Sequence, residues 1–81
     1  MKLLLIEDET KLADYLCKGL GEAGFTVEWA DNGIDGLHLA TQGRHDLIVL
    51  DGMLPGIDGL AVLAALRQSR DTPVLMLTAR T

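Results

Sequence analysis

A chain of 81 residues holds one small domain at most, and its 48% hydrophobic content with a single Phe, Trp and Tyr implies an aliphatic core. A net charge of −5, with seven basic residues scattered and in no run, excludes a nucleic-acid surface of clustered Lys and Arg in this segment. One Cys excludes an internal disulfide, Glu7-Asp8-Glu9 cuts short anything like a signal peptide, and no apolar run reaches membrane-span length, so a soluble cytoplasmic segment is expected.

The first predicted strand is Lys2 to Ile6, and the first helix runs from about Thr10 to Ala23 with Leu12, Leu16 and Leu20 on one face and Gly24 as its stop. A second strand covers Phe25 to Trp29, where Phe25, Val27 and Trp29 alternate with Thr26 and Glu28. Asn32 caps a second helix, Ile34 to Gln42, ended by Gly43. The third strand is Asp46 to Leu50. Pro55-Gly56 makes a turn, and Asp58 caps a third helix that runs to about Ser69, with Leu60, Leu63, Ala64 and Leu66-Arg67 giving its face and exposed edge. Val74 to Leu77 is the fourth strand. This βαβαβαβ order predicts right-handed crossovers and a parallel sheet, an α/β doubly wound fold.

Two of the apolar runs end in acid. Leu3-Leu4-Leu5-Ile6 stops at Glu7-Asp8, and Leu47-Ile48-Val49-Leu50 stops at Asp51. Each run has the length and residue types of a buried parallel strand. In open α/β sheets ligands bind at the carboxyl ends of the strands, so adjacent strands would bring three carboxylates into one shallow pocket. Carboxylates about 4 Å apart repel by roughly 4 kcal/mol per pair at an effective dielectric near 20. Such a cluster calls for a bound cation or a raised pKa, and an all-oxygen site open to water suits Mg²⁺.

Glu7-Asp8 after the first strand, Asp51 after the third, the loop Met53-Leu54-Pro55-Gly56 and Thr78-Ala79 after the fourth resemble the receiver domain of bacterial two-component response regulators. The opening Met1-Lys2-Leu3-Leu4-Leu5-Ile6-Glu7-Asp8-Glu9 and Ala30-Asp31-Asn32-Gly33 are most similar to the subfamily with a winged-helix DNA-binding domain, and within it to the heavy-metal-responsive regulators. The resemblance implies a flavodoxin-like receiver fold with strand order 2-1-3-4. It implies that residues 1–81 are the amino-terminal part, roughly two-thirds, of a receiver domain, whose fifth strand and last two helices follow.

For function, the resemblance implies that Asp51 accepts a phosphoryl group from a sensor histidine kinase. Glu7, Asp8, Asp51 and the backbone carbonyl of Met53 would hold Mg²⁺, Thr78 would turn its hydroxyl to the phosphoryl group, and Ala79 would leave room for it. Gly52 departs from the family, where a larger apolar residue usually follows the acceptor; the change adds backbone freedom beside the site. Transcription would be controlled by an output DNA-binding domain absent from this chain. The segment is thus expected to be a signalling domain, not an enzyme in its own right.

A dinucleotide site is excluded, because Glu7-Asp8-Glu9 stands where a Gly-rich pyrophosphate turn would be. An Asp-nucleophile phosphatase would carry a second Asp where Met53 stands. The remaining alternative is a phosphorylation-incompetent, self-associating fragment: the family's catalytic Lys belongs after a fifth strand, and an uncovered fourth strand is a template for another chain. Cys17 reads as a small packing residue, and His38 and His45 have no partner at metal-ligand spacing. Read as lone acids, Glu7-Asp8 would serve the dipole of the first helix and Asp51 would cap a turn.

Overall fold

The computed structural model describes residues 1–77 as a four-stranded parallel sheet with helices on both faces. The elements are β1 (Lys2–Ile6), α1 (Thr10–Glu22), β2 (Thr26–Ala30), α2 (Gly33–Gln42), β3 (Leu47–Asp51), α3 (Gly59–Leu66) and β4 (Val74–Leu77). Strand order is β2-β1-β3-β4, as the resemblance implied. The register sets Ile6 opposite both Ala30 and Leu50, and Asp51 opposite Leu77.

The pleat divides the core. Leu4, Ile6, Ala30, Ile48 and Leu50 turn one way and pack with Ala40 of α2 and Val62 and Leu66 of α3. Leu3, Leu5 and Val49 turn the other way, against Ala13, Leu16, Cys17 and Leu20 of α1. Alternate residues of β1 are therefore buried on opposite faces, which is why its apolar run is continuous. Gly36 allows α2 to lie close on β1, since a Cβ there would stand 2.6 Å from the Ile6 side chain.

Helix ends follow their expected chemistry. Asn32 accepts from Asp35 N and Asp58 accepts from Ala61 N, each at 2.8 Å, and Gly24 takes φ +102° just past the end of α1. Three details differ from expectation. β2 and β3 each run one residue later, so Asp51 is the last residue of its strand. α3 ends at Leu66, and the tighter turn after it carries Arg70 back to Thr41 O, which accepts from Nε at 3.2 Å and Nη2 at 2.8 Å. The buried face of α3 is Gly59, Val62 and Leu66, whereas Leu60 is exposed, because α3 starts with Gly59 pressed against β3.

β4 pairs with β3 and, among the described residues, with no other strand; Leu75 on it is 54% exposed. His45, which stands alone in the sequence, is buried with Nε2 2.8 Å from Glu28 Oε1. No helix among the described residues is long and apolar enough to cross a membrane.

Candidate functional site

β1 and β3 are neighbours, so the acids that end them arrive side by side. Glu7 continues the ladder by one bond, its N–H donating to Ala30 O at 3.0 Å, and its carbonyl accepts from Trp29 Nε1 at 2.8 Å. Asp8 occupies the bend that follows. Glu9 N–H turns back to Glu7 Oε2 at 3.0 Å. Asp51 Oδ1 accepts from Met53 N–H at 3.0 Å, and Gly52 N–H donates to Leu77 O at 2.9 Å. Asp51 does cap its own turn, and that bond holds the carboxylate in place.

One oxygen from each of Glu7, Asp8 and Asp51 lies within 4.8 Å of the others. Glu7 is only 3% exposed and Asp51 7%, while Asp8 is open to water. They share a cavity of about 510 Å³ with Glu9, Leu12, Met53 and Leu77. No Lys or Arg lines it among the described residues. Burial raises the Glu7 carboxyl above its ordinary 4.5; the Glu9 N–H opposes this, and the charges of Asp51 and Asp8 add to it.

The donor set decides what fits. Three carboxylates, all oxygen, two dry and one wet, with no protein cation beside them, match a hard divalent cation that keeps some of its own water. The lone-acid reading of Glu7 and Asp8 does not hold, because α1 begins at Thr10 with Glu9 as its N-cap and neither acid lies in its first turn. Thr78 and Ala79 lie outside the described residues. Met53 contributes its N–H to Asp51, and its side chain is exposed at the rim.

Sequence reasoning missed three neighbours. Leu12, assigned to the packed face of α1, is partly exposed and lines the acid cavity. Trp29 reaches the Glu7 carbonyl from another strand. A Cβ on Gly59 would stand 2.5 Å from Asp51 O, so the start of α3 is pressed against the acid strand. Only the Asp58-Gly59 helix start hinted at the last. Cys17 packs as expected, and burial followed by the charge of Asp14 pushes its thiol up, away from the reactive thiolate.

A four-stranded parallel sheet with acids gathered at its carboxyl edge is the frame of a receiver, and the response regulator receiver domain pattern matches residues 3–81. The chain belongs to the family of response regulator receiver domains of two-component systems. Its curated relatives include the transcriptional activator protein IrlR of Burkholderia pseudomallei, 55% identical over 80 residues, 99% of this chain and 35% of IrlR. This chain thus spans about a third of such relatives' length. Among solved structures, the response regulator TrrA of Thermotoga maritima in complex with Mg²⁺ and BeF superposes at TM-score 0.92 with 32% identity, covering 99% of this chain and 70% of TrrA. A Burkholderia pseudomallei response regulator with a phosphorylated aspartic acid and a calcium ion gives TM-score 0.88 and 30% identity, covering 99% of this chain and 48% of that one.

Proposed function

We propose that Asp51 is the phosphoacceptor of this receiver and that Glu7, Asp8 and Asp51, with the Met53 carbonyl, form its Mg²⁺ site. The observation that carries the reading is the gathering of three carboxylates within 4.8 Å in a cavity whose described lining has no cationic side chain. Bound Mg²⁺ would neutralise the charge between the carboxylate and the incoming phosphoryl oxygens. The rest falls to the chain itself. Met53 N–H holds Oδ1 of Asp51, and the strand end fixes the direction from which an Asp51 oxygen meets phosphorus. The oxygen–phosphorus bond forms as the bond to the donor's nitrogen breaks, leaving an acyl phosphate on Asp51. Thr78 would donate its hydroxyl to that group, Ala79 would leave space for it, and Gly52 would let the loop adjust.

The donor we infer is the phosphohistidine of a sensor histidine kinase. The output is transcriptional, through a DNA-binding domain outside this chain, with a likeness to heavy-metal-responsive regulators. We assign residues 1–81 as the amino-terminal part of the receiver, working in the cytoplasm as a signalling module. A second reading, self-association, is supported by β4, which pairs among the described residues with β3 alone and whose Leu75 is exposed. The phosphoacceptor reading is tested with acetyl phosphate and Mg²⁺, locating the added phosphoryl group by mass spectrometry. Slow labelling at Asp51, absent from Asp51→Asn, is expected, since no protein cation in the described lining steadies the phosphoryl oxygens. Labelling elsewhere, or labelling that survives Asp51→Asn, would contradict it.

A further inference from the structure

Glu7 differs from the other two acids in having its backbone held by β2. Its N–H is bound to Ala30 O at 3.0 Å and its carbonyl receives Trp29 Nε1 at 2.8 Å. With Glu9 N–H folded onto Glu7 Oε2 at 3.0 Å, three hydrogen bonds brace the bend that carries Asp8. Only the one from Trp29 comes from a side chain of another element. β2 ends at Ala30, where the chain leaves for the N-cap Asn32, and the donor at the Glu7 carbonyl is the indole.

The peptide plane gives this bond its reach. The Glu7 carbonyl and the Asp8 N–H belong to one rigid planar unit, so fixing the oxygen fixes the direction in which the Asp8 Cα leaves. The Asp8 carboxylate is exposed and has no protein hydrogen bond of its own among the described contacts, so its position is inherited from that plane. Indole is well suited to the task, with a donor and no acceptor on a rigid ring. Trp29 keeps 37% of its surface in water where fuller burial would favour an aliphatic residue.

We propose that Trp29 is a positioning residue of the acid site: its N–H, held on the Glu7 carbonyl, sets the Glu7 and Asp8 carboxylates against Asp51 and so governs how tightly a divalent cation binds. This rests on the Mg²⁺ reading above. Partners that orient metal ligands typically contribute 10- to 100-fold in affinity, and a partner acting through the backbone belongs near the lower figure. Trp29 is the sole tryptophan, so the emission of the chain comes from this one indole.

The test titrates MgCl₂ into the whole chain and reads both the melting midpoint and the indole emission. In the wild type both should move with one half-saturation concentration, and Asp8→Asn should abolish both responses. Trp29→Phe keeps a ring and removes the donor; by melting midpoint it should bind Mg²⁺ about tenfold more weakly. The benzothiophene analogue of Trp29 keeps the fused ring and puts a non-donating sulfur in place of the N–H, and it should weaken binding similarly, which covers a Trp29→Phe chain that fails to fold. Equal Mg²⁺ affinity with and without the N–H overturns the positioning role and leaves the metal reading intact. No response of the wild-type midpoint overturns the metal reading and this inference together.

Discussion

The two ends of β1 and β3 carry similar numbers of polar side chains and treat them oppositely. At the amino ends, Lys2 N–H donates to Asp46 Oδ2 at 2.8 Å, Asp46 N–H donates to Lys2 O at 2.7 Å, and His45 Nε2 meets Glu28 Oε1 at 2.8 Å. Among the described residues, the one buried side-chain polar atom there without a partner is His45 Nδ1. At the carboxyl ends, Glu7, Asp8 and Asp51 converge with like charge and no cationic side chain in their described cavity. The amino end is built as folding alone would build it. The carboxyl end concentrates repulsion that folding alone would remove, and local rules are broken in this way mainly where something is to be bound.

The largest effect on stability that sharpens this contrast is expected from Gly59→Ala. Its new Cβ would press on the backbone of Asp51 and Gly52, which cannot swing aside as a side chain would. A loss of about 2 kcal/mol is expected by denaturant unfolding, reversing the gain that Gly→Ala gives in an open helix. An unchanged or raised stability would mean that α3 is not pressed against the acid strand.

Glu7→Gln should act in the opposite direction. Removing one buried charge from the cluster should raise the metal-free stability at pH 7. The pH dependence follows the same cause. Because the Glu7 carboxyl is raised above 4.5, the folded chain holds a proton that the unfolded chain has released, so metal-free stability falls as pH rises from about 4.5 through the raised value. Melting midpoints across that window should slope downward in the wild type and flatten in Glu7→Gln. A wild-type slope of the other sign would show that Glu7 is stabilised as its anion without any cation.

The smallest effect belongs to the amino end. Glu28 is 40% exposed by side chain, so Glu28→Gln, which keeps an acceptor for His45, should cost about 0.5 kcal/mol or less. A loss larger than that of Gly59→Ala would erase the distinction between the two ends.

How far this contrast could be read in advance depended on distance along the chain. Leu3 to Ile6 and Leu47 to Leu50 announce buried strands by composition, and the acids that follow them announce where the strands end. Asn32 and Asp58 announce helix starts because a cap acts within three residues. Features set by a neighbouring element were out of reach. The inward face of α3 is fixed by the contact of Gly59 with Asp51, so Leu60 was placed inside when it faces water. Leu12 satisfies the spacing of a core helix face, yet it sits near the start of α1, level with the acids, and lines their cavity. Trp29 satisfied a strand alternation, and nothing local told that its N–H would reach across to β1. His45 had no sequence partner because Glu28 lies 17 residues away on β2.

The central claim is that the carboxyl-end acids form one cation site, and thermal unfolding with and without Mg²⁺ tests it most directly. Metal at one hundred times its dissociation constant should stabilise the wild-type chain by about 2.7 kcal/mol, and Asp8→Asn, whose side chain is exposed and free to change without disturbing the core, should lose most of that gain. A wild-type midpoint indifferent to millimolar Mg²⁺, or an equal gain in Asp8→Asn, would contradict the account.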